Sequence, residues 1–114
     1  MYIDSHCHIN FPELNKNIDS VLSNMKEKSI THALCVSVTL DNFESVLKLA
    51  EEYKHIFASV GVHPDYEDIE EPDIKTLTSL AHNDKVVAIG ETGLDYFRLT
   101  GELLWQKERF RTHI

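Results

Sequence analysis

A chain of 114 residues, 42% apolar and 26% charged, has room for one domain with its own core and the composition of an ordinary globular protein. Its formal net charge of −8 excludes the broad basic face with which non-specific nucleic-acid binders neutralise phosphates, so affinity for an anionic substrate has to come from a local site such as bound cations. Two cysteines, Cys7 and Cys35, are too few for a disulfide framework, and no apolar run approaches the length of a membrane span.

The N-terminal stretch Met1–Phe11 has no basic start followed by an apolar segment, so the expected address is the cytoplasm and the expected state of both thiols is reduced. The first strand-like run is Tyr2–Ser5. A helix follows, with Ile18, Val21, Leu22 and Met25 on one stripe. The second run is Ala33–Val38. Asp41 opens the next helix, with Glu44 three residues on in a capping-box pattern, and Val46, Leu47, Leu49, Ala50 and Tyr53 form its buried side. Phe57–Val62 is the third run. Pro72 suits the first turn of a helix carrying Ile74, Leu77, Leu80 and Ala81. Val86–Gly90 is the fourth run, and Thr100 is the expected N-cap of a last helix bearing Leu103, Leu104, Phe110 and Ile114.

The runs are short and apolar on both faces, the pattern of parallel strands covered on both sides. Four βα units in one domain, residues 1–114, admit two architectures: an open doubly wound sheet, or part of a (β/α)8 barrel, which needs about 250 residues when complete. The last helical pattern reaches Ile114 without a stop signal, which carries the expectation that the natural protein continues.

Chemistry concentrates where strands give way to loops. In Asp4-Ser5-His6-Cys7-His8, strand alternation points His6 and His8 one way and Cys7 the other, so two imidazoles can grip one divalent ion. Alternation also places Asp4 on the histidines' face, where it can bridge or orient one of them. The spacing His-x-His alone serves equally for two polar residues at a strand end. Gly90-Glu91-Thr92-Gly93 follows the fourth strand directly. Glu91 is there either a carboxylate able to bridge two cations or an exposed acid in a Gly-rich turn. His63, in Gly61-Val62-His63-Pro64, is a candidate for contact with a phosphate or leaving group, or a loop histidine. Arg98 reads first as part of a solvated face, and its nearness to the Glu91 loop makes it also a substrate-binding candidate. Lys107, Arg109 and Arg111 read as a solvated helix face, Trp105 and Phe110 as packing, and His32, His55 and His82 as residues of the opposite rim without function.

Taken together, Tyr2–His8, Gly61–Pro64, Ala88–Tyr96 and Gln106 with Phe110 resemble the successive signatures of TatD-type metal-dependent hydrolases. The resemblance implies the N-terminal half of a TIM barrel, one or two divalent cations (Mg, Mn or Zn), and hydrolysis of DNA phosphodiesters. It implies His6 and His8 as ligands of one metal and Glu91 as a ligand or bridge of both, while His63 and Arg98 stay candidates for substrate contact from their positions alone. It also implies two further histidines and a water-activating aspartate beyond Ile114, so that no catalytic residue falls within this chain. DNA is then the partner, as substrate, with no membrane and no protein partner. The alternatives are a metal-dependent amide, lactone or phosphomonoester hydrolase on the same scaffold, or an inactive truncated product.

Overall fold

The structure is a computed structural model that describes residues 1–114. Nine elements follow one another: β1 (Tyr2–Cys7), α1 (Pro12–Asn15), α2 (Ile18–Glu27), β2 (Ile30–Cys35), α3 (Leu40–Glu52), β3 (Ile56–Val60), α4 (Ile74–Ala81), β4 (Val86–Ile89) and α5 (Leu104–His113). The four strands pair in parallel in the order β1-β2-β3-β4. Sequential order without a reversal, with the helices on one face, is the arrangement of a curling barrel sheet. A doubly wound sheet would reverse its order and cover both faces.

The core lies between sheet and helices. Ala33, Cys35, Ile56 and Ala58 pack with Ile9, Val46, Leu49 and Ala50, and the stripe Ile18, Val21, Leu22 and Met25 of α2 closes over them. Phe43, Val60 and Leu77 form a second cluster between α3, β3 and α4. The opposite face of the sheet is uncovered, contrary to the expectation of strands buried on both sides. Ile3, Leu34, Phe57 and Val87 line a groove there, with Ile3 64% and Val87 58% exposed. In a closed barrel this is the inward face, and side chains from the remaining strands fill it.

Several boundaries depart from the sequence reading, each for a local reason. β2 starts at Ile30, so His32 belongs to the strand and lines the open groove near Phe57, rather than standing at the opposite rim. α3 is capped by Thr39 and not by Asp41: Thr39 is extended (φ −145°, ψ 164°), and its hydroxyl accepts the Asn42 N–H at 3.1 Å. The Asn42 side chain answers by accepting the Val38 N–H at 3.2 Å. The cap of α4 is Asp73, whose carboxylate accepts from Thr76 N–H at 2.6 Å, leaving Pro72 just outside the helix. Thr100 does not cap α5, because Gly101 follows at φ +90°, a conformation that no right-handed helix continues through. α1, a single turn with Pro12 at its start, has too few residues to show a periodic signal.

Candidate metal centre

All four parallel strands end at one rim, and the chemistry-bearing side chains gather there. β1 is irregular on its way to the rim. Asp4 pairs with Ala33 but Cys7 with Cys35, so one extra residue is accommodated between them. Bulges of this kind re-aim the side chains that follow. As a consequence Asp4 does not share the histidines' donor cluster, as alternation had suggested. Its carboxylate instead accepts the His6 backbone N–H at 3.1 Å.

His6 and His8 emerge side by side, with 3.3 Å between their Nε2 atoms. The other nitrogen of His8, Nδ1, lies 3.0 Å from the Val36 carbonyl oxygen and donates to it, leaving the Nε2 lone pair facing inward. The His8 ring also stacks on Phe11. Glu91 comes from the end of β4 and divides its carboxylate: Oε1 is 3.7 Å from His6 Nε2, and Oε2 is 3.7 Å from His8 Nε2. A cation held at about 2.1 Å by such ligands keeps neighbouring donor atoms about 3.0–3.4 Å apart. Two imidazoles and a carboxylate at 3.3–3.7 Å therefore fit one divalent ion with little adjustment.

His63 stands on the other side of Glu91, with Nε2 3.6 Å from Oε1. Its Nδ1 is paired with the Asp65 carboxylate, which orients the ring. Arg98 reaches the same corner: Nη1 is 2.6 Å from Asp95 Oδ2, and Nε is 3.9 Å from Asp65 Oδ2. The guanidinium is still 59% exposed. It faces a cleft of about 270 Å³ that His8, Phe11, His63, Tyr66 and Glu91 also line. Asp95 is held below the usual carboxylate range, first by the Arg98 backbone N–H and then by the Arg98 side chain, and Asp95 in turn raises Arg98. His63, Asp65 and Asp95 also present donor atoms close together, but these carboxylates already have partners, Asp95 in Arg98 and Asp65 in His63.

Sequence reasoning missed the supports of this rim. α5 buries a polar stripe: Gln106, Arg109 and His113 are 0%, 3% and 8% exposed, whereas Leu104 and Ile114 are at the surface. Each polar residue holds one consecutive residue of the loop after β3. The Val62 N–H donates to His113 Nε2 at 3.0 Å, Arg109 Nη1 donates to the His63 carbonyl at 3.0 Å, and Gln106 Nε2 donates to the Pro64 carbonyl at 3.4 Å. Arg109 is thus no solvated side chain. It also forms a two-pronged pair with Glu71, at 2.8 and 2.5 Å, and lies over the Trp105 ring. Gln106 ties in the Asp95 backbone as well, accepting its N–H at 2.9 Å and donating to its carbonyl at 3.0 Å. The spacing 106, 109, 113 on one helix face was a visible signal. It was hidden by the habit of reading such stripes only for apolar residues.

Both cysteines are free. Cys7 Sγ donates to the Leu34 carbonyl at 3.4 Å and Cys35 Sγ to Asn10 Oδ1 at 3.3 Å, and the Cys35 sulfur beside it together with burial pushes the Cys7 thiol up.

Four sequential βα units with two histidines and a glutamate at their strand ends define part of a (β/α)8 barrel whose C-terminal rim carries side chains that could hold a metal ion. The family described as TatD related DNase matches residues 3–114, and the chain belongs to it. A protein of Buchnera aphidicola subsp. Baizongia pistaciae, named an uncharacterized metal-dependent hydrolase, is 39% identical over 115 residues. That match covers 98% of this chain and 43% of the relative. Human deoxyribonuclease TATDN3 is 31% identical over 122 residues, covering 96% of this chain and 43% of the relative. Among solved structures, the TatD homologue YjjV of Escherichia coli K12 superposes with a TM-score of 0.82 at 28% identity, over 98% of this chain and 44% of that one. A TatD-family hydrolase of Entamoeba histolytica gives a TM-score of 0.78 at 26% identity. The chain therefore spans less than half the length of the relatives it matches.

Proposed function

We propose that this chain supplies the first part of the metal centre of a divalent-metal-dependent hydrolase that cleaves DNA phosphodiester bonds. The observation that carries the reading is the convergence of His6, His8 and Glu91, 85 residues apart along the chain at the extreme, with donor atoms at 3.3–3.7 Å. His6 and His8 would hold one cation, and Glu91 would hold or bridge one or two. The bound cation would supply charge stabilisation at the phosphoryl group and an acidified water. The chain's own residues do the rest of the work. Val36 fixes the tautomer of His8, Asp65 orients His63 toward Glu91, and Asp95 holds Arg98 at the mouth of the cleft. Arg98 and His63 are then the groups placed to meet a phosphate, since a guanidinium matches its oxygens in a two-pronged fashion.

DNA is the favoured substrate because the family and the human relative carry that activity in their names. The net charge of −8 is compatible with it only if the local cations and Arg98 supply the affinity. The test is incubation of the protein with end-labelled DNA and Mg²⁺ or Mn²⁺, with and without EDTA. The chain spans less than half the length of its relatives, so the assay belongs on a protein that contains the whole barrel. Cleavage abolished by EDTA supports the proposal. Cleavage that persists in EDTA contradicts metal dependence, and hydrolysis of an amide or lactone with DNA left intact contradicts the substrate.

A further inference from the structure

The carboxylate of Glu91 can face three histidines only if the peptide that carries it is fixed, and the ladder of β4 has ended at Ile89. We infer that Ser59 is the residue that positions Glu91 for metal binding; the inference rests on the metal centre proposed above. Ser59 is on β3 and only 1% exposed. Its hydroxyl donates to the Gly90 carbonyl at 2.6 Å and accepts the Ser37 N–H at 3.1 Å. One hydroxyl thereby joins the ends of three neighbouring strands, a task that needs both a donor and an acceptor on a side chain two atoms long.

The remaining sides of the Gly90–Glu91 peptide are also occupied. The Glu91 N–H donates to the Ser37 carbonyl at 2.8 Å, and the Gly90 N–H donates to the Val60 carbonyl at 2.9 Å. Beneath it lies Gly61, where an added Cβ would meet Gly90 C at 2.6 Å. The Gly90 carbonyl has Ser59 as its side-chain anchor. Without that hydroxyl, the half-buried carbonyl and the buried Ser37 N–H both lose a partner, and the peptide is free to turn toward another donor. Outer partners that orient metal ligands change metal affinity by about 10–100-fold when removed. Glu91 is held through its main chain, so the same scale applies to Ser59.

Ser37 provides an internal comparison. It is as deeply buried, but it reaches Glu91 through its main-chain carbonyl, while its hydroxyl donates mainly to the Thr39 carbonyl at 2.9 Å, with the Gly61 carbonyl farther off at 3.5 Å. A role that is merely structural would make the two serines equivalent. Mn²⁺ titration of the 114-residue chain followed by electron paramagnetic resonance, with thermal unfolding in parallel, separates the two cases. Ser59→Ala is expected to weaken Mn²⁺ binding about 10–100-fold. Ser37→Ala is expected to leave the affinity close to that of the parent, and Ser59→Thr, which keeps the hydroxyl on a strand-compatible side chain, is expected to recover most of it. Parental affinity in Ser59→Ala overturns the inference. Equal weakening in Ser37→Ala, or in a Ser59→Thr variant with unchanged unfolding temperature, also overturns it. Failure of the metal reading itself is distinct: the parent chain and His8→Ala would then show the same absence of bound Mn²⁺.

Discussion

His63 Nε2 lies 3.6 Å from Glu91 Oε1, the same oxygen that His6 faces from 3.7 Å. Glu91 is therefore the hinge of two half-sites, one made with His6 and His8 and one opening toward His63. The two halves are expected to respond differently to mutation. His6→Ala, His8→Ala and Glu91→Ala each remove a direct donor of the first ion, and Mn²⁺ affinity of the chain should fall by at least about 100-fold, beyond the range set by outer partners. His63→Ala should weaken the first ion by less than about 10-fold, because His63 stands outside the His6–His8–Glu91 triangle. Isothermal titration of the four variants checks the order, and a His63 variant that loses binding as completely as His8→Ala would contradict it.

Gly61 is the floor under the Gly90–Glu91 peptide. An alanine there would bring Cβ to 2.7 Å from the Glu91 carbonyl oxygen, closer than any real contact, and against backbone that cannot swing away. Gly61→Ala is expected to cost about 1–3 kcal/mol in stability, the range of overpacking. It should also weaken metal binding as Glu91 is displaced. Urea unfolding read beside Mn²⁺ titration tests both, and unchanged affinity would show that Glu91 adapts.

Asp95 carries a pH dependence whose sign is fixed by its depressed value. Its carboxyl ordinarily titrates at 3.8, and the Arg98 backbone N–H and guanidinium lower this in the folded chain. A group depressed on folding stabilises fully above its unfolded value and loses that contribution as pH falls through the folded value. The Tm deficit of Asp95→Asn relative to the parent should be constant at neutral pH and shrink below about pH 4. A deficit that grows on acidification would contradict the Asp95–Arg98 pairing.

Arg109 satisfies Glu71 and the His63 carbonyl from a buried position. Arg109→Met leaves these partners without a donor and is expected to destabilise by about 1–3 kcal/mol. Arg109→Lys should restore little, because one ammonium cannot reproduce a planar fork. Chemical denaturation of both variants decides this, and full recovery with lysine would reduce the role of Arg109 to charge alone.

The uncovered sheet face makes a further prediction. β1 and β4 are outer strands, and the groove of Ile3, Leu34, Phe57 and Val87 lies between them. Exposed strand edges beside apolar surface promote pairing between chains. Light scattering behind a sizing column should give a mass above 13.1 kDa that rises with concentration, and Val87→Lys should reduce it. A monomer at every concentration would contradict the prediction.

Most rim residues were legible in sequence because His6, His8, His63 and Glu91 stand at or just past the ends of strand-like runs, and parallel strands bring such positions to one edge, while Arg98 was legible only through its nearness to the Glu91 loop. His6, His8, His63, Glu91 and Arg98 all arrive there. Asp4 was misplaced because strict alternation fails at the irregularity between Asp4 and Cys7, which leaves no mark on hydropathy. The supporting roles of Ser37, Ser59, Gln106, Arg109 and His113 were missed for a different reason. Buried polar side chains that serve main-chain atoms look, in sequence, like surface residues, and their partners lie as far as 51 residues away. The helix caps moved by one or two residues, since Thr39 and Asp73 each outcompete a neighbour through backbone geometry that composition does not encode.

The bond from Val62 N–H to His113 Nε2 has a kinetic consequence. Val62 is 1% exposed and its amide has no partner in the strand ladder, so the imidazole is what shields it. Solvent protons can reach this amide only when α5 lifts from the barrel rim, a local opening and not a global one. The exchange rate of a single amide, one position before His63, is therefore a clock for the docking of the whole helix. Because the docking surface is made of directional polar contacts and not of grease, that clock should quicken in urea well before the sheet itself begins to open.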